Sequence, residues 1–308
     1  MKHKTRGAAL ATAALVALIA LFGMTGCPNN AGGGGTPQAS LVSGGASLIL
    51  SSDKLTIKVT VKTADSSSVT VEGCTETTLT SDSETELHAK GTTVILKGRI
   101  IKLVCSDNRL IALNVQGLSA LEELVCSDNR LTALNVQGLN ALEVLLCGSN
   151  RLTELNVQGL SALKSLGCQN NRLAELNVQD LNALKLLDCF SNQLTDLKVH
   201  NLSALESLSC QGNRLTSLNV SGCTALKTLN RSSNKIAGKF AVPAFFNSLP
   251  DRQPADDARC YLYTEKTGVP EGNLTNFTDA GVAGAFQNAK NRNWKMYKYD
   301  ENGTPVEI

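Results

Sequence analysis

The chain reads as a mainly β solenoid with parallel strands on both sides, an N-terminal β-hairpin cap and an α/β C-terminal cap. Three observations predict this. A unit of 21 residues recurs from about Ile100 to Asn234, with Cys at 105, 126, 147, 168, 189 and 210 and Asn at 108, 129, 150, 171, 192, 213 and 234. Such a fixed period marks a stacked-repeat architecture. Each unit holds two short apolar stretches, such as Leu124-Val125-Cys126 and Leu134-Asn135-Val136, and leaves no room for a helix as well. The composition is 42% hydrophobic but only 4% aromatic, so the core is built from Leu, Val and Ala, which suits stacked coils.

Taken in order, residues 1–26 read as a signal segment: Lys2, Lys4 and Arg6 precede an apolar run from Ala8 to Phe22. Residues 27–45 follow as a flexible tether, because Pro28 to Pro37 is rich in Gly and Asn and has little apolar surface to bury. Residues 46–90 form the N-terminal β cap. Leu55, Ile57, Val59 and Val61 alternate with Thr56, Lys58, Thr60 and Lys62, Asp65 to Ser68 reads as a turn, and Val69 and Val71 resume the alternation, which is a hairpin signature.

The repeat array is expected over 91–238. Residues Leu87 to Arg99 read as a degenerate half-coil, with Val94 in register with Val115 and Val136. Gly117, Gly138 and Gly159 supply corners, and the buried Asn column is expected to satisfy the backbone groups that a corner leaves without ladder partners. Residues 239–308 form the C-terminal cap. Pro243–Leu249 and Thr278–Lys290 are expected as helices and Arg259–Thr264 and Trp294–Tyr299 as strands that extend the first sheet, with their aromatics forming cap core.

The unit LxxLxCxxNxL followed by LxxLxVxxL resembles the leucine-rich repeat, with Cys in the place of the third Leu; the resemblance covers roughly half the chain. Met24-Thr25-Gly26-Cys27 resembles the lipobox of bacterial lipoproteins. That resemblance implies a covalent lipid on Cys27 and a membrane-anchored protein at the outer membrane or cell surface, similar to repeat lipoproteins of host-associated bacteria such as spirochaetes.

The coils can be compared with one another. On the second stretch the outward columns are nearly uniform: Asn114, Asn135, Asn156, Asn177 and Asn219, broken by Lys198, and Gln116, Gln137, Gln158 and Gln179. On the first stretch they vary and place Val125, Val144, Leu146, Gln169, Leu186, Asp188, Phe190 and Gln211 outward. Contiguous outward apolar residues mark an interaction site. The expected partner is a protein of a host or bacterial surface, with a glycan as one alternative and a structural spacer without a specific ligand as the other. A second candidate is the column Arg109, Arg130, Arg151, Arg172 and Arg214, an anion-binding strip unless neutralised by Asp107, Asp128, Glu154, Glu175 and Asp196.

No enzyme is expected. His88 and His200 lie near no nucleophile motif, and no paired carboxylates or phosphate-binding loop stand out. The net charge of +2 gives no drive toward nucleic acid. The closest cysteines, Cys210 and Cys223, are too far apart in sequence for a CxxC-type metal site, so neither a metal nor a cofactor is expected and the ladder is read as reduced packing.

Overall fold

The computed structural model describes residues 39–268 and 271–308. The signal segment, Cys27 and the tether up to residue 38 lie outside them. The rest of the expected tether, 39–45, is packed onto the first coil: Asn114 Nδ2 donates to Ala39 O at 3.1 Å and Ser47 Oγ to Ser40 O at 2.7 Å. Gly117 permits this, because a Cβ there would overlap the Val42 carbonyl.

Six strands precede the array: β1 (Gly45–Ile49), β2 (Thr56–Thr63), β3 (Val69–Glu72), β4 (Thr78–Leu79), β5 (Ser83–His88) and β6 (Thr93–Lys97). They do not form the expected hairpin of β2 on β3. β2 pairs with β5, whereas β3 pairs with β4 and β6 in a separate sheet. Both strands bury one face, Val59 and Val61 from β2 and Val69 and Val71 from β3. A lone hairpin would leave that face wet, and division between two sheets gives both strands one shared core. The expected half-coil at 87–99 is likewise cap. β6 runs antiparallel to β1, with Leu48 opposite Val94.

The array begins at β7 (Ile100–Val104), which also pairs with β2. On the second side of this first coil, β8 (Ala112–Asn114) pairs antiparallel with β1. One three-residue strand per coil follows: β9 (Glu123–Val125), β10 (Val144–Leu146), β11 (Ser165–Gly167), β12 (Leu186–Asp188), β13 (Ser207–Ser209) and β14 (Thr228–Asn230). They are parallel and in register, Leu124 beside Leu145 beside Leu166. With the caps they make a 12-stranded sheet.

The second side does not carry the expected parallel sheet. At its Gln positions the backbone N–H is taken locally. Gln137 N donates to Asn135 Oδ1 at 3.0 Å, Gln158 N to Asn156 Oδ1 at 3.1 Å and Gln179 N to Asn177 Oδ1 at 3.0 Å. Each such turn removes a ladder donor. The one parallel bridge found on this side among the described residues joins Lys198 to Asn219, at the coil where Lys replaces the turn-forming Asn. Gly138 and Gly159 then turn the corner at φ 82° and 81°. Gln116 and Gln137 do bridge coils, their Nε2 donating to Asn135 O at 2.9 Å and Asn156 O at 2.8 Å.

The corner asparagines behave as expected. Asn150 Nδ2 donates to Cys126 O at 3.0 Å and Cys147 O at 3.1 Å, while its Oδ1 accepts from Leu131 N at 3.0 Å. The pattern recurs to Asn234, and Asn273 of the C-terminal cap adds a last rung by donating to Arg231 O and Leu262 O. The six ladder cysteines are buried free thiols, and burial pushes Cys105, Cys147 and Cys210 up to about 12.

The C-terminal cap follows the expected order: α1 (Ala241–Ser248), β15 (Ala258–Thr264), α2 (Ala280–Asn291), β16 (Trp294–Tyr299) and a further strand β17 (Pro305–Glu307). β15 and β16 continue the parallel sheet and β17 closes it antiparallel. Phe245, Phe246 and Trp294 are buried cap core. In the next place of the cysteine column stands Arg231. Its guanidinium is fully buried, lies 4.4 Å from the Phe245 ring centre, and has no hydrogen-bond partner on Nε or either terminal nitrogen among the described residues. Burial pushes its pKa down.

Candidate interaction face

The outer face of the long sheet is built from three columns. Alternation along each strand turns the central Leu inward and its two neighbours outward, as in Val144-Leu145-Leu146. Pairing continues one step past the strands, Ser149 N to Gln169 O at 2.8 Å, Asn170 N to Phe190 O at 2.9 Å and Ser191 N to Gln211 O at 2.9 Å. Gln169, Phe190 and Gln211 therefore lie side by side, one coil apart, next to the column Leu146, Gly167, Asp188 and Ser209.

The structure brings all eight sequence-predicted residues onto this face, but only one of them is largely solvent-exposed. Leu186 is 48% exposed, whereas Val125, Val144, Leu146, Gln169, Asp188, Phe190 and Gln211 are half-buried. Strands about 4.8 Å apart let each side chain shelter its neighbour. The glycines add to this. A Cβ on Gly167 would lie 3.0 Å from Leu146 Cδ2, and one on Gly148 would overlap the Gln169 amide, so Leu146 and Gln169 lean over the two glycines.

Charge is distributed unevenly along the sheet. At the N-terminal end Lys58 pairs with Glu84 at 3.6 Å and Lys102 with Glu123 at 3.1 Å, beside a groove of about 740 Å³ lined in part by Lys58, Glu84 and Val104. At the C-terminal end Asp257 holds Lys295 at 2.6 Å and also Arg259, and these partners keep its carboxyl below the usual range. Between them, from Val144 to Ser232, Asp188 is the one ionisable residue in the three columns. It has no ion pair among the described residues, and burial pushes its carboxyl pKa up, opposed by the Phe190 N–H. Asp188 Oδ1, Gln169 Oε1 and Gln211 Oε1 are all buried without a hydrogen-bond partner among the described residues.

One feature of the face was not expected from sequence. Tyr261, Tyr297 and Tyr299, read there as cap core, stand half-buried on the outer face. Tyr261 stacks on Tyr297 and Tyr299 at centroid distances of 5.2 and 5.3 Å, and Asn230 Nδ2 donates to the Tyr299 hydroxyl at 3.2 Å. The signal was the alternation itself. With Cys260 and Met296 inward, Tyr261 and Tyr297 must point out.

The Arg column follows the asparagine corner, and among the described residues no ion pair joins it to the acids of the same coils. Asp53 of the N-terminal cap instead meets Arg109 at 3.2 Å and Arg130 at 3.3 Å. Arg151, Arg172 and Arg214 have no ion pair among the described residues. The acids sit at turn and outward positions of each coil, with Asp128 in a left-handed turn at φ 55°. No helix among the described residues is long and apolar enough to cross a membrane. Nor do three or more His, Cys, Asp or Glu residues gather there as a group able to hold a metal ion.

No known family model matches the chain, and no curated protein is similar to it. Solved structures are. The functional domain of InlJ from Listeria monocytogenes, which includes a cysteine ladder, is 21% identical over 57% of this chain and 52% of that one, with a TM-score of 0.30. The leucine-rich effector YopM from Yersinia pestis is 23% identical over 55% of this chain and 50% of that one, at 0.42. Internalin C2 from Listeria monocytogenes is 23% identical over 45% of this chain and 74% of that one, at 0.32. The chain thus spans about half the length of the first two. The 21-residue repeat and its parallel sheet of one short strand per coil make the solenoid one of the leucine-rich-repeat kind, and likeness at this level carries neither a partner nor an activity.

Proposed function

We propose that the protein is a binding module, not an enzyme, that recognises a protein partner through the outer face of its long sheet. We further propose that it is exported and held by a lipid on Cys27 at a bacterial outer membrane or cell surface, where the partner is a host or bacterial surface protein. The basic start at Lys2, Lys4 and Arg6, the apolar run from Ala8 to Phe22 and the Met24-Thr25-Gly26-Cys27 resemblance support the anchoring.

One observation carries the binding reading. The two sides of each coil use the same repeat, yet the second side is filled by Asn and Gln amides bonded to backbone, while the first presents Leu186, Leu146, Val144 and Phe190 with unpaired polar oxygens between them. A spacer without a ligand has no use for that asymmetry.

The test is capture of surface proteins from host and bacterial extracts. Leu146→Ser with Leu186→Ser is expected to abolish capture of whichever partner is found, and Asn156→Ser with Gln158→Ser on the second side is expected to leave it intact. Equal capture by both variants refutes the reading. A second reading rests on Arg151, Arg172 and Arg214, which have no ion pair among the described residues and offer a strip of cations to an acidic glycan. Binding there weakens steeply with added salt, whereas binding to the apolar face does not.

A further inference from the structure

Resting on the sheet-face reading, we infer that the centre of the face is a receptor for an arginine side chain of the protein partner, centred on Asp188. Three buried acceptor oxygens without a hydrogen-bond partner among the described residues, Gln169 Oε1, Asp188 Oδ1 and Gln211 Oε1, fall in three consecutive coils, the middle one carrying Phe190. Folded proteins leave few such atoms unpaired, because each loses the hydration it had in water. All three accept and none donates, so what completes them is a donor-rich group. In the three outward columns from Val144 to Ser232 the single ionisable residue is Asp188, half-buried and without an ion pair among the described residues, so the group is cationic.

A guanidinium meets these conditions better than an ammonium. It carries five N–H donors in a plane, which can serve acceptors on neighbouring coils at once, and its flat face stacks on an aromatic ring such as Phe190. Its aliphatic stem lies along apolar surface, here Leu146 and Leu186. Asp257 at the end of the sheet offers no such place, since Lys295 and Arg259 already occupy it.

The probe is acetyl-Gly-Arg-Gly-amide titrated into the intact protein, with the side-chain amide resonances of Gln169 and Gln211 followed by NMR. The expected result is saturable shifts of both amides, and affinity at least ~10-fold above that of the citrulline peptide, which keeps the shape and loses the charge. Asp188→Ser, which copies Ser209 of the next coil and so preserves the fold, is expected to erase the difference between the two peptides. Equal affinity for arginine and citrulline peptides, or the same preference in Asp188→Ser, overturns the inference. If Leu146→Ser with Leu186→Ser abolishes partner capture while Asp188→Ser leaves it unchanged, the binding face stands and the arginine receptor falls. If neither variant changes capture, both fall.

Discussion

The two sides of the solenoid come from one repeat and end as different materials. On the first side the short strands pair in register from cap to cap, and thiols line the interior behind them. On the second side Val136, Val157 and Val178 line the interior, and the backbone outside them turns on its own Asn side chains instead of pairing. A side whose outer columns are occupied by structural amides is not free to vary. The side held by backbone ladders alone is, and there the chain carries its apolar and unpaired polar groups. Burial of a regular scaffold on one face thus leaves the other face available for recognition.

The inner linings give the largest contrast. The ladder thiols titrate near 9 when unfolded and are pushed to about 12 in Cys105, Cys147 and Cys210 by burial. Their folded pKa is raised, so their stabilising contribution is intact below about 9 and is lost as pH climbs from there toward 12. At one pH unit above the unfolded value each thiol costs about 1 kcal/mol, and the column acts together. Denaturant midpoints against pH are therefore expected to fall steeply above pH 9, and replacing Cys126, Cys147 and Cys168 by Val, the residue of the other lining, is expected to flatten that fall. An unaltered slope would mean that the thiols are not the groups titrating.

The two asparagine columns come next. Asn150→Ala strands Leu131 N–H and the carbonyls of Cys126 and Cys147 inside the coil and is expected to cost about 3 kcal/mol. Asn156→Ala removes one exposed acceptor from Gln158 N and is expected to cost about 0.5 kcal/mol. Equal losses in equilibrium unfolding would erase the distinction between the sides.

Arg231 breaks the cysteine column with a buried guanidinium that faces the Phe245 and Phe246 rings at 4.4 and 6.0 Å and has no hydrogen-bond partner among the described residues. Arg231→Met is expected to stabilise the protein by about 2 kcal/mol, because an apolar chain of similar length loses no hydration on burial. A drop in melting temperature would show that the ring contact outweighs the missing hydrogen bonds. The smallest effect belongs to the outer face. Leu186→Ser, at 48% exposure, is expected to change stability by no more than ~0.5 kcal/mol, and the half-buried Leu146→Ser by about 1 kcal/mol. A larger loss at Leu186 would mark it as core and count against the binding face.

The sequence by itself determined whatever depends on burial repeated at a fixed interval. The coil length, the inward Leu and Cys, the Asn at each corner and the order of elements after Asn234 were all legible, because each coil repeats the same local demand and the chain aligns with itself. The tertiary structure decided what depends on the identity of a non-local neighbour. Periodicity says that Val59 and Val69 each bury one face, but not that they do so from different sheets. The Asn135 column has the composition of a stacking ladder, and only the backbone shows its amides drawn into local turns. Tyr261, Tyr297 and Tyr299 read as core by type and face outward by register, since a strand's two faces are distinguished only by what it packs against. Gln169, Asp188 and Gln211 belong to three different coils, and it is the stacking of those coils that brings them onto one face beside Phe190.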